Sequence, residues 1–174
     1  MERAAAPDAI LTLDAGTFGA PFYRKTAWVP PQRLLVPVSG AMGFGIPAGV
    51  AAALRCPDRT VISLVGDGGA LMTGGEYAVA VARGAALKLV LSDNGSYASI
   101  RIHQEKAHPG RVSGTTLVNP DFAQWCAAFR VPVTVVESKA DLPALEAALR
   151  APGAAAIVVR TSLEAVLPQR LAAE

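Results

Sequence analysis

The sequence predicts a doubly wound α/β domain whose mostly parallel sheet is flanked by helices. Short apolar runs rich in β-branched residues recur along the chain, and Ala-rich segments with helical character lie between them. Strands that alternate with helices in this way are typical of parallel sheets with right-handed crossovers. A chain of 174 residues is long enough to bury a core without metal or disulfide cross-links. We therefore expect a single domain over residues 1–174.

Five segments of the chain are predicted to be strands. The second and the last are nearly continuous runs of apolar, mainly β-branched residues, a pattern that favours strands covered on both faces. The predicted strands are residues 9–13, 60–65, 87–91, 133–136 and 156–159.

Helices are predicted between these strands, over residues 45–55, 76–83, 97–104, 121–129 and 141–150. Pro47 lies in the first turn of the first helix, where proline is tolerated. Gly84 follows the second helix in the usual C-terminal position. Asn119-Pro120-Asp121 is a start signal for the fourth. Residues 16–32 contain Pro21, Pro30 and Pro31, and no element is predicted there.

Composition excludes several classes of function. The net charge is +2 without any basic run, so nucleic acid is not expected as a partner. No apolar run is long enough to span a membrane, and residues 1–7 lack the apolar core of a signal peptide. We expect a soluble, cytoplasmic protein. Cys56 and Cys126 lack a second pair of metal ligands and are interpreted as small buried hydrophobes.

Two polar segments are predicted to leave neighbouring strands at the same edge of the sheet. Gly66-Asp67-Gly68-Gly69 is predicted as a loop after the second strand, and Ser92-Asp93-Asn94-Gly95-Ser96 follows the third. Asp67 and Asn94 are 27 positions apart, about one helix plus one strand. Ligands of such sheets bind beyond the carboxyl ends of the strands. The two side chains are therefore expected to meet at a ligand site.

Carboxylate and carboxamide oxygens are hard donors of the kind that Mg²⁺ shares with phosphates, and a glycine-rich turn lets backbone N–H groups approach a phosphate closely. Each motif also has an ordinary structural explanation. Asp67 would cap the helix that follows it, and Asp93-Asn94-Gly95 would form a simple turn. Their combination at this spacing favours a magnesium–diphosphate site.

These two motifs resemble the signature of thiamine-diphosphate-dependent enzymes, with the acetolactate synthase and 2-oxo acid decarboxylase group as the closest branch. The resemblance runs from Asp14-Ala15-Gly16 through residues 40–47 to Asn119-Pro120-Asp121-Phe122. It implies a diphosphate-binding domain, and it is specific for cofactor and fold but not for substrate. The sequence departs from the pattern at Asp93, where many members of the superfamily carry asparagine.

The resemblance implies roles for individual residues. The side chains of Asp67 and Asn94 and the backbone carbonyl of Ser96 would coordinate Mg²⁺. Met42 would support the thiazolium ring and keep the cofactor bent, and the Gly40 carbonyl would bind the aminopyrimidine. Both residues are candidate catalytic residues, because the bend brings the cofactor's own base near its reacting carbon. Ordinary core packing is the alternative for Met42. The implied cofactor-binding residues are Gly40, Ala41, Met42, Gly66, Asp67, Gly68, Gly69, Asn94, Ser96 and Tyr97.

The helix after the metal-binding segment is expected to present Tyr97, Ile100 and His103 to the substrate. A histidine titrates near neutrality and suits a proton shuttle, so His103 is a candidate catalytic residue, with a surface role as the alternative. Residues 106–116 contain Pro109, Gly110 and Gly114 and are predicted to form a mobile loop that orders over the site.

In this superfamily, the glutamate that activates the cofactor comes from a pyrimidine-binding domain of a neighbouring subunit. The glutamates of this chain, none of which lies in a matching motif, are Glu2, Glu76, Glu105, Glu137, Glu146, Glu164 and Glu174. A partner domain or subunit, a homo-oligomer and a small 2-oxo acid substrate such as pyruvate are therefore expected. The chain is interpreted as a fragment of a longer polypeptide or as the small subunit of a split decarboxylase, with the fragment favoured.

Two alternative functions remain open at this point. One is a non-catalytic subunit that keeps the fold, against which the joint presence of Asp67, Asn94 and Met42 argues. The other is a dinucleotide-binding protein, because residues 40–45 are rich in glycine, although they do not form a complete G-x-G-x-x-G pattern after a clear first strand.

Overall fold

The structure is a computed structural model and describes residues 5–165; residues 1–4 and 166–174, including Glu2 and Glu174, lie outside the described residues. All strand pairs of the sheet are parallel. Within residues 5–165 the sheet has six strands in the order β2-β1-β3-β4-β6-β5. The strands are β1 (Ile10–Leu13), β2 (Arg33–Leu35), β3 (Val61–Gly66), β4 (Leu87–Asp93), β5 (Val133–Val136) and β6 (Ala155–Arg160).

Helices precede or follow each strand of the sheet. They are α1 (Ala20–Lys25), α2 (Gly45–Arg55), α3 (Asp67–Thr73), α4 (Tyr77–Ala82), α5 (Ala98–Ala107), α6 (Phe122–Ala127) and α7 (Leu142–Arg150). Short 3₁₀ turns at Thr17–Gly19, Gly74–Glu76 and Lys139–Asp141 lead into α1, α4 and α7. None of the helices in residues 5–165 combines the length and the apolar character that a membrane crossing requires.

The sheet separates two hydrophobic cores. Side chains alternate along a strand, so that Val61 and Ile62 point to opposite faces and belong to different cores. Helices α2, α4 and α6 cover one face, where Tyr77, Trp125 and Phe129 form edge-to-face ring pairs. Helices α1 and α7 pack on the other face. Burial on both faces explains why β3 and the Leu89–Leu91 segment of β4 are mainly apolar.

The predicted doubly wound fold is confirmed, and each predicted strand is present. The structure adds β2, which has only three residues, and α1, which lies in the proline-containing segment for which no element was assigned. One prediction was wrong: residues 66–69 do not form a loop. Gly66 is the last residue of β3, and α3 begins at Asp67. The glycines fit there because neighbouring side chains occupy the space that their Cβ atoms would need.

The sheet order places a binding cleft at one edge. The chain runs from β1 to β2 on one side of β1 and then crosses to β3 on the other side. The direction of winding therefore reverses between β1 and β3, and ligands of open α/β sheets bind at such a reversal, beyond the carboxyl ends of the strands. The carboxyl ends of β1, β3 and β4 all lie at this edge, because the three strands are parallel.

Candidate functional site

A cleft that is open to solvent lies at the carboxyl edge of β1, β3 and β4. Four segments contribute to it: the turn after β1, the segment before α2, the start of α3, and the turn after β4 with the first residues of α5. The lining residues are Ala15, Gly16, Thr17, Phe18, Met42, Gly66, Asp67, Gly68, Ser92, Asn94, Ser96, Tyr97, Ala98, Ser99 and Ile100.

Asp67 is buried, and its carboxylate links β3 to the turn after β4. Oδ2 accepts hydrogen bonds from the backbone N–H of Asn94 at 3.1 Å and of Gly95 at 2.7 Å. It also accepts one from Nδ2 of Asn119 at 2.9 Å. Oδ1 accepts one from the N–H of Gly68 at 2.8 Å. Only this last bond belongs to α3, so capping of that helix does not account for Asp67.

Asn94 and Ser96 form a tight turn beside Asp67. Oδ1 of Asn94 accepts a hydrogen bond from the N–H of Ser96 at 3.0 Å, and Gly95 has φ +68°. The Ser96 carbonyl accepts one from the N–H of Ala98 at 2.8 Å. The alternative that Asp93-Asn94-Gly95 forms a simple turn therefore agrees with the hydrogen bonds of this segment. It is compatible with metal binding, because each carbonyl oxygen retains a second lone pair.

Asn119 joins the carboxylates of two neighbouring strands, a role that the sequence did not reveal. Its Nδ2 donates to Asp67 Oδ2 and, at 2.8 Å, to Asp93 Oδ1. Asp93 Oδ2 forms an ion pair with Nη1 of Arg160 at 3.1 Å, across the register that places Asp93 opposite Arg160. The Asp93 carboxylate is thus bound by an amide and a guanidinium.

Asp14, also buried, fixes the segment that carries Met42. Its Oδ2 accepts from the N–H of Gly43 at 3.0 Å, and its Oδ1 accepts from those of Phe44 at 2.9 Å and Gly45 at 3.3 Å. A Cβ on Gly69 would lie 1.9 Å from Asp14 Oδ2. Gly69 therefore serves close packing against Asp14, and it does not line the cleft.

Met42, Tyr97 and Gly68 meet inside the cleft. A Cβ on Gly68 would lie 2.4 Å from Cε1 of Tyr97 and 3.1 Å from Cε of Met42. Met42 is half-buried, lines the cleft, and belongs to neither hydrophobic core. Phe18, for which the sequence predicts no role, also lines the cleft, and a Cβ on Gly66 would lie 2.8 Å from its Cε1.

The other candidate residues lie beside the cleft. Gly40, with φ +68°, and Ala41 are exposed and do not line it. Ile100 lines the cleft from α5, whereas His103, one turn further along, is exposed and does not. The structure does not bring His103 together with Asp67 and Asn94, and its catalytic role stays a prediction. The aminopyrimidine contact of Gly40 likewise stays a prediction.

The segment predicted as a mobile loop, residues 106–116, begins in a helix, since α5 extends to Ala107. Residues 108–116 form hydrogen bonds with α5 and with Tyr97. Buried Glu105 accepts from the N–H of Gly110 at 3.0 Å, Gln104 donates to the Ser113 carbonyl at 2.7 Å, and the N–H of Tyr97 donates to the Thr115 carbonyl at 2.9 Å. Its mobility stays a prediction.

The candidate metal ligands belong to three different chemical groups. In the part of the chain from residue 5 to 165, no group of three or more His, Cys, Asp or Glu side chains is arranged to hold a metal ion. The candidate donors are instead one carboxylate, one amide and one backbone carbonyl, from Asp67, Asn94 and Ser96. Such all-oxygen sets with few carboxylates suit Mg²⁺, which completes its shell with phosphate oxygens and water.

The fold and this site define a diphosphate-binding α/β domain. The family model described as thiamine pyrophosphate enzyme, C-terminal TPP binding domain, matches residues 14–159, and the chain belongs to this family. Thiamine pyrophosphate is thiamine diphosphate, so the resemblance seen in the sequence is confirmed, and the family implies this cofactor, usually with Mg²⁺. The dinucleotide-binding alternative does not apply.

Relatives of known function are longer than this chain. The acetolactate synthase large subunit of Parasynechococcus marenigrum is 33% identical over 158 residues, which is 86% of this chain and 25% of the relative. Pyruvate oxidase of Lactiplantibacillus plantarum is 32% identical over 125 residues, covering 71% and 21% respectively.

Among solved structures, the thiamine diphosphate-dependent 4-hydroxybenzoylformate decarboxylase of Rhodococcus jostii superposes with a TM-score of 0.84 at 29% identity. The match covers 92% of this chain and 31% of that one. The chain therefore spans between a fifth and a third of the length of these relatives.

Proposed function

We propose that this chain binds magnesium–thiamine diphosphate and forms half of the active site of an enzyme that decarboxylates or ligates small 2-oxo acids. One observation carries the proposal: the Asp67 carboxylate is held against the turn of Asn94, beside Met42, in a single cleft. Relatives named as acetolactate synthase, pyruvate oxidase and a decarboxylase support the class of reaction.

The residues of the cleft fit the cofactor's polar end. The Asp67 and Asn94 side chains and the Ser96 carbonyl would hold Mg²⁺. The start of α3 at Gly68, which lines the cleft, would bind the diphosphate that the ion carries, since helix N-termini favour anions. Because Gly68 lacks a Cβ, Tyr97 and Met42 can pack directly against the start of α3.

The apolar residues of the cleft would position the reactive end. Met42, Phe18 and Ile100 line the cleft and would hold the thiazolium ring and exclude water from it. When bound, the cofactor supplies an electron sink for making or breaking a carbon–carbon bond, while the protein provides binding, orientation and electrostatics. The Asp14 carboxylate accepts hydrogen bonds from the backbone N–H groups of Gly43 and Phe44 and so keeps Met42's segment in place.

A partner would complete the site. Within residues 5–165, no glutamate lines the cleft, so the activating glutamate would come from a pyrimidine-binding domain or subunit. Val38, Leu71 and Met72 are exposed apolar side chains, and Met72 lies close to Gly43, so apolar surface is available near the cleft for a partner to cover. We infer a homo-oligomer of the complete enzyme. A split decarboxylase subunit and a non-catalytic cofactor-binding subunit are the alternatives.

Calorimetric titration with thiamine diphosphate tests the proposal, with and without Mg²⁺, for the chain alone and with a pyrimidine-binding partner. We expect Mg²⁺-dependent binding that Asp67→Ala weakens by about tenfold or more. Asp121→Ala is the matched control, because it removes an exposed carboxylate outside the cleft. Absence of Mg²⁺-dependent binding even with the partner would refute the proposal. Loss of 2-oxo acid turnover in the Asp67→Ala assembly separates a catalytic from a non-catalytic subunit.

A further inference from the structure

Two carboxylates lie close together at the ends of β3 and β4, and a single amide lies between them. Asp67 Oδ2 and Asp93 Oδ1 both accept from Nδ2 of Asn119, at 2.9 and 2.8 Å. An amide nitrogen carries two N–H groups, so one bond goes to each carboxylate. Arg160 binds the far oxygen of Asp93. This Asp67–Asn119–Asp93–Arg160 chain is here called the carboxylate bridge.

The carboxylate bridge distributes the hydrogen bonds of Asp67 unequally. Oδ2 has three donors, namely the N–H groups of Asn94 and Gly95 and the Asn119 amide. Oδ1 has one donor, the N–H of Gly68. A carboxylate offers about four acceptor positions in all. Oδ1 is therefore the oxygen with a free position for a cation.

The amide also excludes a competing cation site. Two neighbouring carboxylates attract a divalent ion to the space between them. At the ends of β3 and β4 the Asn119 amide fills that space with its protons, and Arg160, which also pairs with Glu137, forms an ion pair with Asp93. A cation at this edge then has access to Asp67 from the side of Oδ1, and not from the side that faces Asp93.

We propose that Asn119 is a positioning residue of the metal site. It holds Asp67 Oδ2 away from the ion, leaves Oδ1 for coordination, and, with Arg160, allows Asp93 to stand next to the metal-binding Asn94 without capturing the ion. This inference rests on the proposed function, because it concerns the same Mg²⁺.

Electron paramagnetic resonance of Mn²⁺, used in place of Mg²⁺ with the full chain and its pyrimidine-binding partner, tests the inference. Asn119→Leu keeps a similar side-chain volume and removes the donors, and Asn119→Ala is a second variant with no added bulk. We expect either change to weaken Mn²⁺ binding in the presence of thiamine diphosphate by about ten- to a hundredfold, as for residues that orient a ligand. In Asn119→Ala, Mn²⁺ binding without thiamine diphosphate should also increase, because the space between the carboxylates opens.

Gln124→Leu is the matched control, since it removes an exposed amide on α6 that donates to Asp121 and not to the site. Its Mn²⁺ affinity should equal that of the wild type. A purely structural role of Asn119 would lower the urea midpoint without raising cofactor-free Mn²⁺ binding, and that outcome overturns the inference. Unchanged Mn²⁺ affinity in the Asn119 variants overturns it too. If Asp67→Ala also binds Mn²⁺ like the wild type, or the wild type does not bind, the proposed function itself fails.

Discussion

Replacement of Asp14 by asparagine tests whether one buried carboxylate determines the position of Met42's segment. The carboxylate accepts three backbone hydrogen bonds, two on Oδ1 and one on Oδ2. In Asp14→Asn, one oxygen becomes an NH₂ group. If the remaining oxygen serves Phe44 and Gly45, the NH₂ group faces the N–H of Gly43, so two donors meet and neither is satisfied.

The expected cost follows from these three bonds. A buried donor left without a partner costs about 1–3 kcal/mol, and a hydrogen bond to a charged group is worth roughly 1 kcal/mol more than a neutral one. One lost bond and two weakened ones lower the free energy of unfolding by at least about 3 kcal/mol. The loss of a negative charge beside the start of α2 acts in the same direction.

Urea unfolding monitored by tryptophan fluorescence measures this cost, because Trp28 and Trp125 are the chain's two tryptophans. With a slope of about 2 kcal/mol per M, the midpoint should fall by ~1.5 M. Asp121→Asn is the control: Asp121 accepts two backbone N–H groups as the N-cap of α6, but it is exposed and asparagine caps equally well. A change below about 1 kcal/mol in Asp14→Asn, or an equal change in both variants, would refute the reasoning.

Three further predictions follow from other parts of the structure. Gly68→Ala should weaken thiamine diphosphate binding about tenfold or more in calorimetry, because the new methyl group lies 2.4 Å from Tyr97 and must displace it from the cleft. Lys88→Met should lower the free energy of unfolding in urea by about 2 kcal/mol, because Lys88 Nζ donates to two carbonyls just after α7 that would lose their partner. Burial lowers the pKa of Lys88 in the folded protein. At pH values between this lowered pKa and the ordinary one, the unfolded chain therefore binds more protons than the folded protein. Wild-type stability should rise with pH across that range, and Lys88→Met should abolish the rise. Burial raises the pKa of the Cys126 thiol to about 12, so a disulfide reagent at neutral pH should label only the partly exposed Cys56 in the native protein and both thiols in urea; labelling of two native thiols would contradict this.

The parts of the fold that the sequence predicted well are those with strong local signals. The predicted bounds of α2 and β5 agree with the structure, because a first-turn proline and a bounded run of β-branched residues define them locally. Strand β2 has three residues of alternating partial exposure, too few for a pattern to emerge. The sequence predicts a loop at the start of α3 because glycine is a poor helix former. Close packing against Asp14 and Tyr97 overrides that preference.

The sequence predicts that two site residues lie close together when a single crossover connection separates them along the chain. Asp67 and Asn94 lie at the two ends of one crossover, which contains α3, α4 and β4, so topology alone places them together. Asn119 is 52 positions from Asp67 and follows an irregular segment, and no periodicity links the two. Asp14 is joined to the start of α2 through a connection that contains β2 and α1. Contacts of this kind follow from tertiary packing and carry no local signal.

Asp14 and Asp67 perform the same structural task at the ends of adjacent strands. Each is buried and accepts backbone N–H groups of a segment that follows a different strand, so β1 holds Met42's segment and β3 holds the turn of Asn94. Gly69 lies against Asp14 from the helix that Asp67 begins. Since the two carboxylates share no donor, their effects should be separable: Asp14→Asn should alter cofactor binding without abolishing its Mg²⁺ dependence, whereas Asp67→Ala should abolish that dependence and leave Met42's segment in place. A joint loss in both variants would mean that the two segments are positioned as one unit.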